Sequence, residues 1–479
     1  MAKPVMDVRS LTVTELVRLL GSGALTATDI ARQLADRVEA GEYLNAFIHT
    51  DLEALITAAR AFDRQAPDVG RKWPLLGVPL AIKDNIDVAG WPTSAGTAAL
   101  KDHVARRSTV AVDRLLEAGA LVAGKANMHE LAFGITTNNA IFGAARNPYD
   151  PTCIPGGSSG GVAVAIAAHM VPAGLGTDTG GSVRIPAALC GIVGLRPTIG
   201  RYPAGGVVPI SHTRDTIGPM ARTVADLALL DGIITQTKPE LDAVNWQRIR
   251  LGVPRAPFYR DLHPDTERAM TKTLALLDKH GATLVEIDMS DVVELAEAVG
   301  LPLCLYEVMR DLPAYLAAGQ AACTLEQIID EIGSADVRAL FEIAAKEGAV
   351  TDRDYQSILH KHRPTLQRAY QKHFASNRLD AVVFPTTPLP ACLIGEDETT
   401  ELNGRQVPTF ATYIRNTDPA SNAGLPGISI PIALSAQGLP IGMELDGPAG
   451  TDRALLSLAT ALEVAIGPVA PPPALGTEM

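Results

Sequence analysis

Polar residues of the kind that start helices stand ahead of evenly spaced apolar ones in the first part of the chain. Thr12-x-x-Glu15 has capping-box spacing, a hydroxyl at the helix start with an acid three residues on, and Thr26-x-x-Asp29 repeats it with the shorter acid. Behind the second, Ile30, Leu34 and Val38 recur every four residues on one helical face. Residues 1–65 are therefore expected to be a helical segment packing on a core. The pattern then changes. Residues 77–86 read as a strand with Lys83 near its end, 108–117 as a helix stopped by Gly119, and Leu121-Val122-Ala123 as a short buried strand. Strand, helix and strand in succession favour an α/β fold with a buried sheet. Residues 146–155 contain Pro148, Pro151 and Pro155 and should be irregular. Residues 161–169, mostly Val and Ala, read as a small-residue helix that can lie close on a sheet, and Thr223-x-x-Asp226 opens another helix. The stretch 238–376 holds charged amphipathic helices and a few strand-like runs, such as 283–287, and is read as an elaboration forming a pocket wall. Strand patterns return at 380–385, 428–431 and 441–445, before a closing helix over 451–464. The ending is polyproline-like, and 468–479 is expected to be a mobile tail. Strands recur at both ends of the chain without an internal repeat, so residues 66–467 are read as one large domain.

Composition narrows the class. With 47% apolar and 20% charged residues over 479 positions, the chain has ample material for a large core. Its 41 basic and 53 acidic side chains leave a net charge of −12, which argues against a nucleic-acid footprint and against attraction to anionic lipid. The first residues lack a basic-then-apolar leader pattern and no apolar run of about 18 residues occurs, so a cytoplasmic protein without membrane association is expected. Cys153, Cys190, Cys304, Cys323 and Cys392 are scattered without metal-ligand or redox-pair spacing and read as reduced, packed thiols.

Chemistry concentrates in two glycine runs and one lysine. Gly156-Gly157-Ser158-Ser159-Gly160-Gly161 and Gly176-Thr177-Asp178-Thr179-Gly180-Gly181-Ser182 follow Lys83 in the chain. A serine hydroxyl becomes a useful nucleophile only when a base takes its proton, and a desolvated lysine can be that base. The first run also satisfies Gly-x-Ser-x-Gly, but that elbow needs an entering strand and the entry here is broken by prolines. Neither run ends in Gly-Lys-Ser/Thr, as a phosphate-binding loop would. A flexible linker would not pass at once into a tight helix. Ser182 follows Thr179, Gly180 and Gly181, whose successive N–H groups, with its own, can form an oxyanion hole; Ser182 is the predicted nucleophile. Ser158 is predicted to bridge it to Lys83, whose pKa a dry pocket should depress. Asp178 and Arg184 read as a buried scaffold pair, Ser159 as a loop-backbone partner, and Asp84 and Asn85 as supports of the lysine strand. Among ten histidines, His129 and His212 read as structural and His360 and His362 as solvated.

These three segments closely resemble the signature blocks of the amidase signature family, at matching spacings, and the likeness extends from about Thr12 to Leu439-Pro440-Ile441-Gly442. Residues 127–134 and 194–203 look most like the branch containing indoleacetamide and mandelamide hydrolases. The resemblance implies a single α/β/α layered domain around a mixed, twisted β-sheet, a cis peptide bond before Ser158, and no metal or organic cofactor. It also places the segment of Met128, Leu131, Phe133 and Ile135 along an acyl pocket, with the main chain near Ala132 facing the site. The expected activity is cleavage of a small apolar or aryl carboxamide through a Ser-Ser-Lys acyl-enzyme, with anilides, esters or carbamates (urethanase activity) open to the same machinery. The alternative is the ammonia-producing subunit of a tRNA-dependent glutamine amidotransferase. A homodimer would fit the class.

Overall fold

Thr12 and Thr26 open helices Val13–Gly21 and Ala27–Ala40, and in each case both halves of the capping box form. In this computed structural model, residues 7–64, 74–346 and 349–473 are described. The proposed division at residues 65 and 66, the first six residues and the last six of the tail lie outside that set. One reading is corrected. The N-terminal segment is not all helix, because Phe47–Thr50 is a strand. Four residues, mostly half-buried, show no apolar run or clear alternation of their own; pairing with a neighbour makes them a strand.

That strand, β1, edges an eleven-stranded sheet. The others in chain order are β2 (Pro79–Lys83), β3 (Leu121–Ala126), β4 (Ala173–Asp178), β5 (Val193–Arg196), β6 (Thr216–Ala221), β7 (Arg250–Pro254), β8 (Thr283–Asp288), β9 (Ala381–Pro385), β10 (Gly427–Leu434) and β11 (Pro440–Asp446). They lie side by side as β1-β3-β2-β4-β6-β5-β10-β11-β9-β7-β8. β2 runs parallel to both β3 and β4, and β7 to both β8 and β9, while the pairs between these blocks are antiparallel. The sheet is mixed, and helices cover both faces. Leu80 and Ile82 of β2 join one apolar cluster and Ala81 the other, the two-residue period of a doubly covered strand.

The helix Gly160–Ala167 is buried along its whole length. Gly161 makes that possible: a Cβ there would sit 2.4 Å from the carbonyl oxygens of Ala46 and Asn127. Thr223 caps Val224–Thr235 by accepting the Asp226 N–H. Within 238–376, β7 and β8 extend the main sheet, and helices Gly300–Gly319, Leu325–Glu331 and Ala335–Ala344 pack on residues 128–133. The closing helix is Asp452–Ile466, and beyond it the Ala470 carbonyl accepts a hydrogen bond from the Tyr149 hydroxyl at 3.0 Å. Among the described residues, no helix is long and apolar enough to cross a membrane.

Candidate active site

Lys83 ends β2 and Asp178 ends β4, so two adjacent parallel strands deliver the site at their carboxyl ends, where open α/β sheets leave a crevice. Lys83 is fully buried. Its Nζ donates to Ser158 Oγ and to Thr177 Oγ1, each at 2.8 Å, and Asn85 Nδ2 donates to the same threonine hydroxyl at 3.1 Å. Burial pushes the Lys83 ammonium down from 10.5 to about 7, against the pull of the Asp178 and Asp215 carboxylates. Asp84 supports the strand with its side chain as well as its backbone: it accepts the Ser94 N–H at 3.0 Å and the Ser94 hydroxyl, and lies 3.3 Å from Lys125 Nζ.

The peptide bond Gly157-Ser158 is cis. Ser159 donates to the Thr177 carbonyl at 3.2 Å and accepts the Thr177 N–H at 3.3 Å, and its own N–H donates to the Ser182 carbonyl at 3.1 Å. The first glycine run is thereby stitched to the second. Within the second, the N–H groups of Thr179, Gly180, Gly181 and Ser182 have no acceptor among the described residues, so four successive donors remain for a ligand oxygen. Gly181 has φ 141°, and a Cβ on it would lie 2.2 Å from Thr417 Oγ1. Thr417 donates that hydroxyl to the Gly180 carbonyl at 2.6 Å, and Asp215 accepts the Thr179 hydroxyl at 2.6 Å. Beneath the loop, burial alone would raise the Asp178 carboxyl. Arg184 (3.0 Å through both Nε and Nη2) and Arg196 (3.0 Å) hold it well below the usual carboxylate range instead.

Ser182 opens onto a cavity of about 110 Å³. Ala132, Phe133 and Ile135 line it, whereas Met128 and Leu131 are packed into the cluster behind. The chain has positive φ at Leu131 (50°) and Ala132 (61°), so it follows neither strand nor helix and its side chains take directions no regular period foretells. The sequence reading missed Ile210, Arg214, Leu301, Cys304, Phe410 and Asp418, all on this cavity. It also missed Thr177, although that hydroxyl stands inside the second glycine run. Arg214 had a signal of its own, a charged pair with Asp215 at the mouth of a buried strand. The segments carrying Leu301 and Phe410 had none.

The candidate histidines find other side-chain partners, and His129 also donates its backbone N–H to the Ser158 carbonyl at 3.2 Å. His129 is buried with Nε2 3.0 Å from the Asp336 carboxylate, and His212 is 59% exposed against Asp311. His360 is exposed and bonded to Gln356. His212, Glu307 and Asp311 bring ligand atoms within 4.8 Å of one another, but Glu307 already accepts the hydroxyls of Ser211, Thr213 and Tyr355, a hydrogen-bonded knot. Burial pushes the Cys153 thiol up to about 11 and that of Cys190 higher still, far from nucleophilic thiolates.

The chain matches the Amidase family over residues 29–456. It is 44% identical over 440 residues to an indoleacetamide hydrolase of Rhizobium radiobacter, covering 92% of this chain and 93% of that one. It is 40% identical over 484 residues to a mandelamide hydrolase of Pseudomonas putida, covering 98% and 94%. The solved structure of a peptide amidase from Stenotrophomonas maltophilia superposes with a TM-score of 0.85 at 29% identity, over 99% of this chain and all of that one. With two glycine runs and a buried lysine gathered at the carboxyl ends of β2 and β4, and with that likeness along nearly its whole length, the chain belongs to the amidase signature family.

Proposed function

We propose that the protein hydrolyses the C–N bond of a small carboxamide whose acyl part is apolar and carries an aromatic ring, through a serine acyl-enzyme. One observation carries the reading: a fully buried Lys83 amine, pushed down to about 7, bonds the Ser158 hydroxyl at 2.8 Å beside a cavity whose lining includes Ser182. Neutral Lys83 accepts the Ser158 proton as Ser158 accepts that of Ser182, and Ser182 Oγ attacks the carbonyl carbon. The carbonyl oxygen, now negative, takes hydrogen bonds from the free N–H groups of residues 179–182. Collapse breaks the C–N bond while the same relay returns the proton to nitrogen, releasing ammonia or an amine. Water then adds to the acyl-enzyme, gives its proton to the relay, and the acid leaves with Ser182 restored.

The cavity supports the substrate class. Phe133, Ile135, Ile210 and Leu340 give it a largely apolar lining. An aryl acetamide fits this description, in keeping with the indoleacetamide and mandelamide hydrolases it resembles. The test is a panel of indole-3-acetamide, mandelamide, an anilide and a small carbamate, given to the chain alone without ATP or partner. Turnover of the aryl amides is expected, and the anilide and carbamate report how broad the leaving group can be. Ser182→Ala and Lys83→Ala should each lower kcat by about a thousandfold or more with circular dichroism unchanged, and a fluorophosphonate should label Ser182. Wild-type rates in the serine variant, or a label elsewhere, would overturn the assignment.

A further inference from the structure

The cavity is apolar except at one wall. Arg214 and Asp418 are its charged lining residues, and they abut the loop ahead of Ser182: a Cβ on Gly180 would lie 2.8 Å from Asp418 Oδ1 and 3.4 Å from Arg214 Nη2. The Arg214 side chain is 3% exposed. Its Nη1 donates to the Gly300 carbonyl at 2.9 Å and to Cys304 Sγ at 3.0 Å, its Nη2 donates to Asp418 Oδ1, and its buried Nε has no partner among the described residues. Asp418 Oδ2 accepts from Asn422 Nδ2 at 2.8 Å, and the carboxylate keeps 25% exposure. A carboxylate has about four acceptor positions. One on each oxygen is filled, so acceptor capacity remains on a group that lines the cavity.

Two physical points decide what such a wall would hold. The opposite charges of Arg214 and Asp418 cancel, so the wall does not attract a cation as a lone carboxylate would. A wholly apolar acyl group would leave the remaining carboxylate lone pairs facing no donor and displace the water that could serve them. A neutral donor satisfies both conditions.

We propose that Asp418, held in place by Arg214, is a specificity-determining acceptor for a neutral O–H or N–H donor on the acyl part of the substrate, an α-hydroxyl or a ring N–H. This rests on the amide-hydrolase reading above. A hydrogen bond to a charged group discriminates by about 10- to 100-fold. The bond also runs along the wall next to Gly180, so it orients the carbonyl toward the free N–H groups of the loop.

Two substrate pairs, each differing in one donor, test this on the full-length enzyme. Mandelamide against phenylacetamide isolates the α-hydroxyl, and indole-3-acetamide against benzothiophene-3-acetamide isolates the ring N–H. The readout is the ratio of kcat/KM within each pair, in wild type and in Asp418→Asn and Asp418→Ala. The expected result is a wild-type preference for the donor-bearing member of at least one pair that shrinks about tenfold or more in both variants. The pair that responds identifies the donor. If both members of each pair slow together and the ratios stay fixed, Asp418 only props the loop and the proposal falls, as it does if wild type shows no preference or the variants fail to fold while wild type is indifferent to the donor. Should wild type hydrolyse none of the four amides, the functional reading falls first and this one with it.

Discussion

Lys83 shows how burial alone can make a base. With no solvent around it and hydroxyls of Ser158 and Thr177 each at 2.8 Å, its amine is pushed from 10.5 to about 7 by desolvation. The neutral form is the one that can take a proton, so kcat/KM for an amide should fall about tenfold per pH unit below about 7 and level off above it. A profile flat down to pH 5.5 would remove Lys83 from the relay. The same shift affects stability with a definite sign. Between about 7 and 10.5 the unfolded chain holds a proton on this lysine that the folded chain lacks, so stability rises with pH across that window and is lowest at and below its foot. Lys83→Met, about the same volume without the amine, should therefore be inactive yet more stable than wild type at pH 6. The expected gain is about 1–3 kcal/mol in chemical denaturation and should shrink toward pH 10. Ser158 and Ser182 were legible in the amino-acid order because each stands in a run of small residues that has little use except close approach, and Lys83 because a charge stands near the end of an apolar strand. Asp418 was not, and the charged pair at Arg214 and Asp215 did not point to it, since the two segments meet only across some two hundred residues of chain.

Between residue and fold stands the helix Ala335–Ala344, which supplies Leu340 to the cavity and sets Phe341 edge-on against Phe133 at 5.2 Å between ring centroids. Its first turn is held from outside. The buried Glu130 carboxylate accepts the Ser334 N–H at 2.8 Å, the Gly333 N–H at 3.1 Å and the Thr97 hydroxyl at 2.8 Å, so an acid from another segment sits at a helix N-terminus. Glu130→Gln keeps the shape and removes the charge, which should weaken the docking by about 1–2 kcal/mol. The expected outcome is KM for an aryl amide raised severalfold to about tenfold with kcat little changed, and faster amide exchange confined to residues 335–344. Equal losses in kcat and no local change in exchange would show that this helix does not form the substrate wall. Helix starts such as Thr12, Thr26 and Thr223 were readable because a capping hydroxyl and its acid lie within four positions of each other. Glu130 could not be read that way, because Gly333 and Ser334, which it holds at the helix start, stand about two hundred residues downstream.

Across the whole molecule, strands from both ends of the chain meet in one sheet, as their recurrence at 77–86 and 441–445 implied, because β4, β6 and β5 bridge β2 to β10. The placing of β7 and β8 at the far edge was not implied, since nothing in a strand's pattern names its neighbour. One buried ionic group spans this architecture. Arg184, two residues after Ser182, bonds Asp178 at the end of β4 and Glu444 on β11, and lies 3.9 Å from Asp446 on the same strand. Neither Asp446 oxygen has a hydrogen-bond donor among the described residues, and burial beside Glu444 pushes both carboxyls up. Burial thus favours the protonated form of Asp446, and that assigns opposite signs to two substitutions. Arg184→Met strands buried carboxylates without their cation and should cost about 3–5 kcal/mol. Asp446→Asn supplies permanently the neutral group that burial already favours. Because the folded carboxyl sits above its ordinary value, the native protein loses stability as pH rises from about 4 through the raised range, and the asparagine variant does not. Its denaturation midpoint should therefore match wild type near pH 4.5 and exceed it at pH 8. An asparagine variant destabilised equally at both pH values would mean that Asp446 is ionised and paired with Arg184, and the loop bearing Ser182 would then rest on a fully charged cluster in place of one holding a neutral acid.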